Sequence, residues 1–165
     1  MRATKKKSIA FLMAGLLSLA LATPNSAVAD ATQADVDYST KVSALVLEFS
    51  NVAADWGTAV SSPPTLAFGS KWTKYKKAAT KSTNAFLATI AKMAALVPSE
   101  GFPKSGPMLQ KSCVAYKTAI STFNTGIQKN DSKIIAKANT LASKATTSYL
   151  AWSKAYAAEV AALNG

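Results

Sequence analysis

Beyond residue 30, apolar side chains recur every three or four positions, the spacing that lines one face of an α-helix. Tyr38, Val42, Leu45, Phe49, Val52, Trp56 and Ala59 follow one another at 4-3-4-3-4-3 intervals and predict a helix over about 33–60. Asp35 and Asp37 fall in its first turn, where carboxylates suit the helix dipole. A second helix is expected over about 71–97, with Trp72, Tyr75, Ala79, Phe86, Ile90, Met93 and Val97 inward and Ser82 interrupting that face. A third, over about 108–128, has the most regular seam: Leu109, Cys113, Tyr116, Ile120, Phe123 and Ile127. Pro107 suits its first position, where no backbone donor is needed. The fourth, over about 132–163, turns Ile135, Ala138, Ala142, Ala145, Tyr149, Trp152, Tyr156 and Leu163 inward, with Asn130 or Asp131 as its cap.

The breaks agree with this division. Pro and Gly gather at 61–70 (SSPPTLAFGS) and 98–107 (PSEGFPKSGP), and a weaker break falls at 129–131. No alternating strand pattern competes. The expected fold is therefore all-α: residues 30–165 as one up-down-up-down four-helix bundle. Antiparallel helices would gather Tyr38, Val42, Met93, Trp152 and Tyr156 at one end. Trp56, Trp72, Tyr75, Phe123 and Ile127 would meet at the other.

Residues 1–29 carry a different pattern. Arg2, Lys5, Lys6 and Lys7 precede a mostly apolar run over 8–22, Pro24 and Asn25 break it, and Ala27-Val28-Ala29 supplies small residues around a cleavage point. The run is too short to span a bilayer comfortably, which needs about 20 apolar residues. This is the order of parts in a secretory signal peptide cleaved after Ala29. It places the protein outside the cell or in the periplasm or envelope. An uncleaved N-terminal anchor is the alternative. No Cys lies nearby to accept a lipid.

Charge narrows the chemistry. The chain holds 19 Lys+Arg against 8 Asp+Glu, a formal net charge of +11. Four of those positive charges belong to the leader, so from Asp30 onward 15 Lys face 8 acids and Arg is absent. Lys attracts anions but lacks the planar fork that reads guanine or phosphate bidentately. Sequence-specific nucleic-acid binding is not expected. The chain has no His and one Cys, which removes the commonest general base, the commonest metal ligand and any internal disulfide. No Ser stands three residues before a Lys, no Gly-rich phosphate loop is present, and Glu48 and Asp55 are one heptad apart without further partners. The expectation is a protein that is not an enzyme and uses neither metal nor cofactor.

Three candidate sites remain. The first is Lys71-Trp72-Thr73-Lys74-Tyr75-Lys76-Lys77, followed by Lys81. Lys74, Lys77 and Lys81 share one helix face, Lys71 and Lys76 flank it, and Trp72 and Tyr75 give it an amphipathic edge. Lys133, Lys137 and Lys144 add charge on the fourth helix. Such a face suits an anionic cell-wall polymer or lipid surface held by charge, although a merely solvated helix has the same pattern. The second is a pocket for a small apolar or aromatic ligand among Tyr38, Tyr116, Tyr149, Trp152 and Tyr156. The same residues would equally line a packed core. The third is the pair of loop aromatics, Phe68 (with Leu66) and Phe102. These are read as plugs over the bundle ends, or as contacts for another chain in an envelope assembly. Cys113, on the third seam, is read as a small buried hydrophobe rather than a partner in an intermolecular disulfide.

Overall fold

The computed structural model describes residues 31–164, and the expected leader with its cleavage point lies outside them. Among the described residues there are four α-helices and no strand: α1 (Gln33–Ser61), α2 (Gly69–Ala94), α3 (Ser105–Lys129) and α4 (Ser132–Leu163). The arrangement is that of a four-helix bundle.

Each boundary has a local cause. At the start of α1, the Thr32 side chain accepts from the Asp35 N–H, while the Asp35 carboxylate accepts from the Thr32 N–H at 2.9 Å and its hydroxyl at 2.7 Å. The chain leaves α1 where Pro63 bars its neighbour Ser62 from helical angles. Gly69, at φ +79°, turns the chain into α2 two residues earlier than the seam predicts. α2 stops at Ala94, three residues short of the expected end, because Pro98 excludes Val97 from the helix. Val97, expected inward, is 83% exposed. α3 begins three residues early, at Ser105, and Pro107 still lies in its first turn, where a missing N–H costs nothing. Its cap is tertiary: the Glu159 carboxylate of α4 accepts from the backbone N–H groups of Lys104 (2.8 Å) and Ser105 (3.0 Å). α3 ends with Asn130 in the left-handed region (φ 52°), and the Asp131 N–H closes back on the Gly126 carbonyl at 2.9 Å. Asp131 then caps α4 through Lys133 and Ile134.

Side-chain bonds fix the register of neighbouring helices. The Trp56 indole donates to the Thr83 hydroxyl (3.1 Å), and the Thr89 hydroxyl donates to Glu48 (2.7 Å), tying α1 to α2. Lys92 joins Glu48 at 2.7 Å in the ion pair on that same edge. The Gln128 amide donates to the Thr80 hydroxyl (2.9 Å) between α2 and α3, and Tyr116 and Thr146 share a hydrogen bond of 3.2 Å between α3 and α4.

The helices are not evenly spaced. α3 and α4 lie closest, with Ala138, Ala142 and Ala145 buried. At Gly126 a Cβ would land 2.7 Å from Ile135 Cγ1, so the close approach requires glycine there. The α1 and α4 backbones stay more than 8 Å apart. Rings span that gap: Phe49 stacks on Tyr149 at 5.5 Å, and Tyr156 reaches the Ser39 hydroxyl at 2.7 Å.

The buried face of α1 is Asp35, Tyr38, Val42, Val46, Phe49, Ala53, Trp56 and Val60. The expected seam positions Leu45, Val52 and Ala59 are half-buried beside it. A strict 3.5-residue seam drifts off a helix of 3.6 residues per turn, so the core contact moves one position along. The two expected end layers are found in part. Tyr38, Val42, Met93, Trp152 and Tyr156 are all buried at one end. Trp56, Phe123 and Ile127 are buried at the other, where Trp72 and Tyr75 are only half-buried. Phe102 is the plug it was expected to be: 1% exposed, with ring centroids 4.8 Å from Tyr38 and 5.2 Å from Tyr156. Phe68 is not. It is 69% exposed, and Leu66 is 58% exposed. At that end Val60 is fully buried without it, and the Val60 carbonyl accepts from the Tyr75 hydroxyl at 3.1 Å.

Candidate functional site

The residues of the candidate ligand pocket pack against one another. Tyr38, Tyr116, Tyr149, Trp152 and Tyr156 are buried, and they belong to one column of touching rings. Tyr149 meets Trp152 at 4.9 Å and Tyr116 at 6.1 Å, and Trp152 meets Tyr156 at 5.7 Å. Phe49 and Phe86 extend the column to Trp56 and Phe123. Edge-on and stacked contacts at these distances are how aromatic cores pack. Cys113 is buried beside them, and burial pushes its thiol up to about 11, so it is an unreactive apolar group at neutral pH.

Burial has a second consequence. All five tyrosines are raised above their ordinary value, chiefly by loss of water, with Tyr38 pushed up to about 12 and Tyr156, Glu159 and Cys113 adding to its shift. The unfolded chain ionises its tyrosines near pH 10, and the folded chain must keep them neutral. Stability is therefore complete below pH 10 and falls as pH rises toward 12. In an alkaline titration, tyrosinate absorbance should appear together with loss of helical signal. Tyrosines ionising one by one in an intact fold would contradict this.

Acids concentrate at the opposite end from α2's first turns, where they organise the 95–104 loop. Asp35 accepts from Thr32 and, across the bundle, from the Gly101 N–H at 3.0 Å. A Cβ at Gly101 would sit 2.6 Å from that carboxylate oxygen, so the contact needs glycine. Hydrogen bonds from Thr32 above all, with weaker ones that include the Gly101 N–H, hold the Asp35 carboxyl down at about 2 from an ordinary 3.8, against the opposing effect of burial. A lowered acid stabilises the fold above its unfolded value and withdraws that stability as pH falls through its folded value. Acid unfolding should cost about 1–2 kcal/mol between pH 4 and pH 2, and Asp35→Asn should remove that part of the acid limb. Identical acid limbs in urea-unfolding series of the two proteins would exclude this role.

The lysine face is presented to solvent. Lys71, Lys74, Lys77 and Lys81 are exposed, and Trp72 and Tyr75 are half-buried with ring centroids 5.2 Å apart, forming the expected edge. Among the described residues, none of these four lysines has an acid within ion-pair distance. α2 and α3 together contain nine Lys and no Asp or Glu. Periodicity on α2 alone could not show what lies beside the face. Lys76, Lys77, Thr80 and Lys81 line a groove of about 530 Å³ completed by Gln128 of α3. Lys71 and Lys74 stand outside it. Gln128 carries no sequence signal, because its place depends on the α2–α3 pairing.

Among the described residues, no group of His, Cys, Asp and Glu is placed to hold a metal ion, and no helix is long and apolar enough to cross a membrane. Comparison with protein-family models, curated proteins and solved structures finds no match to this chain. The chemistry open to the lysine face is electrostatic attraction of phosphate or carboxylate, with an aromatic edge for partial insertion.

Proposed function

We propose that this chain is an exported, non-catalytic helical bundle that binds an anionic polymer or lipid surface of the cell envelope through Lys71, Lys74, Lys77 and Lys81. The leader over 1–29 delivers it there, and the bundle runs up-down-up-down as a single unit. The observation that carries the reading is the charge separation: two neighbouring helices hold nine Lys and no acid, while four acids lie on α1. Exposed Leu66 and Phe68, just before α2, add apolar groups beside the lysines and favour a lipid surface over a soluble polymer.

Co-sedimentation tests the reading. The protein should bind phosphatidylglycerol vesicles and glycerol-phosphate polymer at 0.01 M salt, where the screening length is about 30 Å, and release both at 1 M, where it is about 3 Å. Vesicles of phosphatidylcholine should leave it in solution. Binding that ignores salt, or equal binding to both vesicle types, would overturn it. Salt-sensitive binding to the vesicles with none to the polymer would place the partner in the membrane rather than the wall.

A further inference from the structure

A second, apolar groove lies on the helix pair that carries the lysine-lined one. Further along the same helix pair, Leu87, Ala88 and Ala91 of α2 and Ala95 after it face Cys113 and Val114 of α3 across about 720 Å³. Asn84 lines both, so the basic groove and the apolar groove lie end to end along the α2–α3 face. α2 lines the apolar half largely with alanines. Val114 stands 63% exposed on its wall. Lys117 of α3 also lines the apolar groove, and no acid lies on either helix.

An alanine-floored trough gains free energy when a hydrocarbon covers it, at about 25 cal/mol per Å². Lysines at one end of such a trough select what covers it: a molecule with an apolar tail and an anionic head. From Asn84 to Ala95 the helix advances about 17 Å at 1.5 Å per residue, the length of an extended chain of roughly a dozen carbons. We infer that the α2–α3 groove binds one molecule of a single-chain anionic lipid, with its acyl chain along Ala88, Ala91 and Val114 and its headgroup at Lys77, Lys81 and Gln128. This rests on the proposed anionic-surface reading and narrows it from a surface to one lipid in a defined seat.

The probe is lysophosphatidylglycerol with a twelve-carbon chain, titrated below its micelle concentration and followed by calorimetry and native mass spectrometry. The expected result is saturable binding of one molecule per chain. Lysophosphatidylcholine of the same length should bind at least tenfold more weakly, and glycerol phosphate without a chain should not bind measurably. Ala91→Trp, at an exposed position, fills the apolar half and should weaken binding more than tenfold. Val114→Trp does the same from α3 and serves if Ala91→Trp unfolds. K77Q/K81Q should also weaken binding about tenfold. Absence of saturable binding in the parent protein, or undiminished binding in both tryptophan variants, would overturn the groove. If the parent protein co-sediments with anionic vesicles but shows no saturable binding of the monomer, the groove fails and the lysine face stands. If K77Q/K81Q leaves vesicle binding untouched, the lysine face fails with it.

Discussion

Phe49→Ala should lower the free energy of unfolding by about 3–5 kcal/mol. Phe49 is 2% exposed and is the α1 side chain that meets one ring from each of the other three helices. Its centroid lies 5.0 Å from Phe86, 5.2 Å from Tyr116 and 5.5 Å from Tyr149. Because the α1 and α4 backbones do not approach, those rings cannot close over the void by a small helix shift, and a cavity remains. Domains of this size have about 5–15 kcal/mol of stability in total, so the change approaches the threshold of folding. Urea unfolding followed by tryptophan emission should show a midpoint lower by about 1–3 M with unchanged slope. Phe49→Leu, which keeps most of the volume, should recover more than half of the loss. A cost under 1 kcal/mol for the alanine variant would show that the ring column is not the framework of the fold.

Replacing Lys71, Lys74, Lys77 and Lys81 together by Gln should reduce binding to anionic vesicles about 10²–10³-fold in low salt, since each lysine near such a surface contributes about 1 kcal/mol. The fold should survive. The four side chains are exposed and engage no acid among the described residues, and like charges at three- and four-residue spacing mildly destabilise a helix. Unfolding midpoints should therefore be equal or slightly higher. A control separates local pattern from net charge: Lys41, Lys104, Lys111 and Lys154, changed together to Gln, remove the same charge elsewhere and should weaken binding less than threefold. Equal losses in the two variants would reduce the lysine face to bulk attraction.

How much of this was legible beforehand depends on how local each cause is. Helix type and number follow from apolar periodicity and from Pro and Gly placement, which act within a few residues. Phe102 was recognisable as a plug because Gly101 and Pro103 flank a ring that has no helix of its own. Phe68 looked equivalent and is exposed; at that end Tyr75 and Val60 are joined by a bond between two helices, which no local pattern reveals. The same limit applies to Glu159. On the sequence it is one acid near the end of a helix, whereas in the fold it caps α3 from across the bundle. The one-position shift from Leu45 to Val46 and from Val52 to Ala53 is the drift of a straight helix against a heptad template, and only packing against real neighbours sets it. Lys71, Lys74, Lys77 and Lys81 were readable as an exposed face. Thr80, Asn84 and Gln128 were not, because the groove exists only where α2 lies against α3.

The proposed function requires that the protein meet its partner through the lysine-rich side of α2 and not through its core or its acid-bearing end. Hydrogen exchange of backbone amides, measured with and without phosphatidylglycerol vesicles in low salt, tests it directly. The expected result is slower exchange confined to residues 66–84, the end of α3 around Gln128 and the first turns of α4. Slowing centred on the 95–104 loop held by Asp35 and Glu159, or no change in residues 66–84 while the protein is bound, would contradict it.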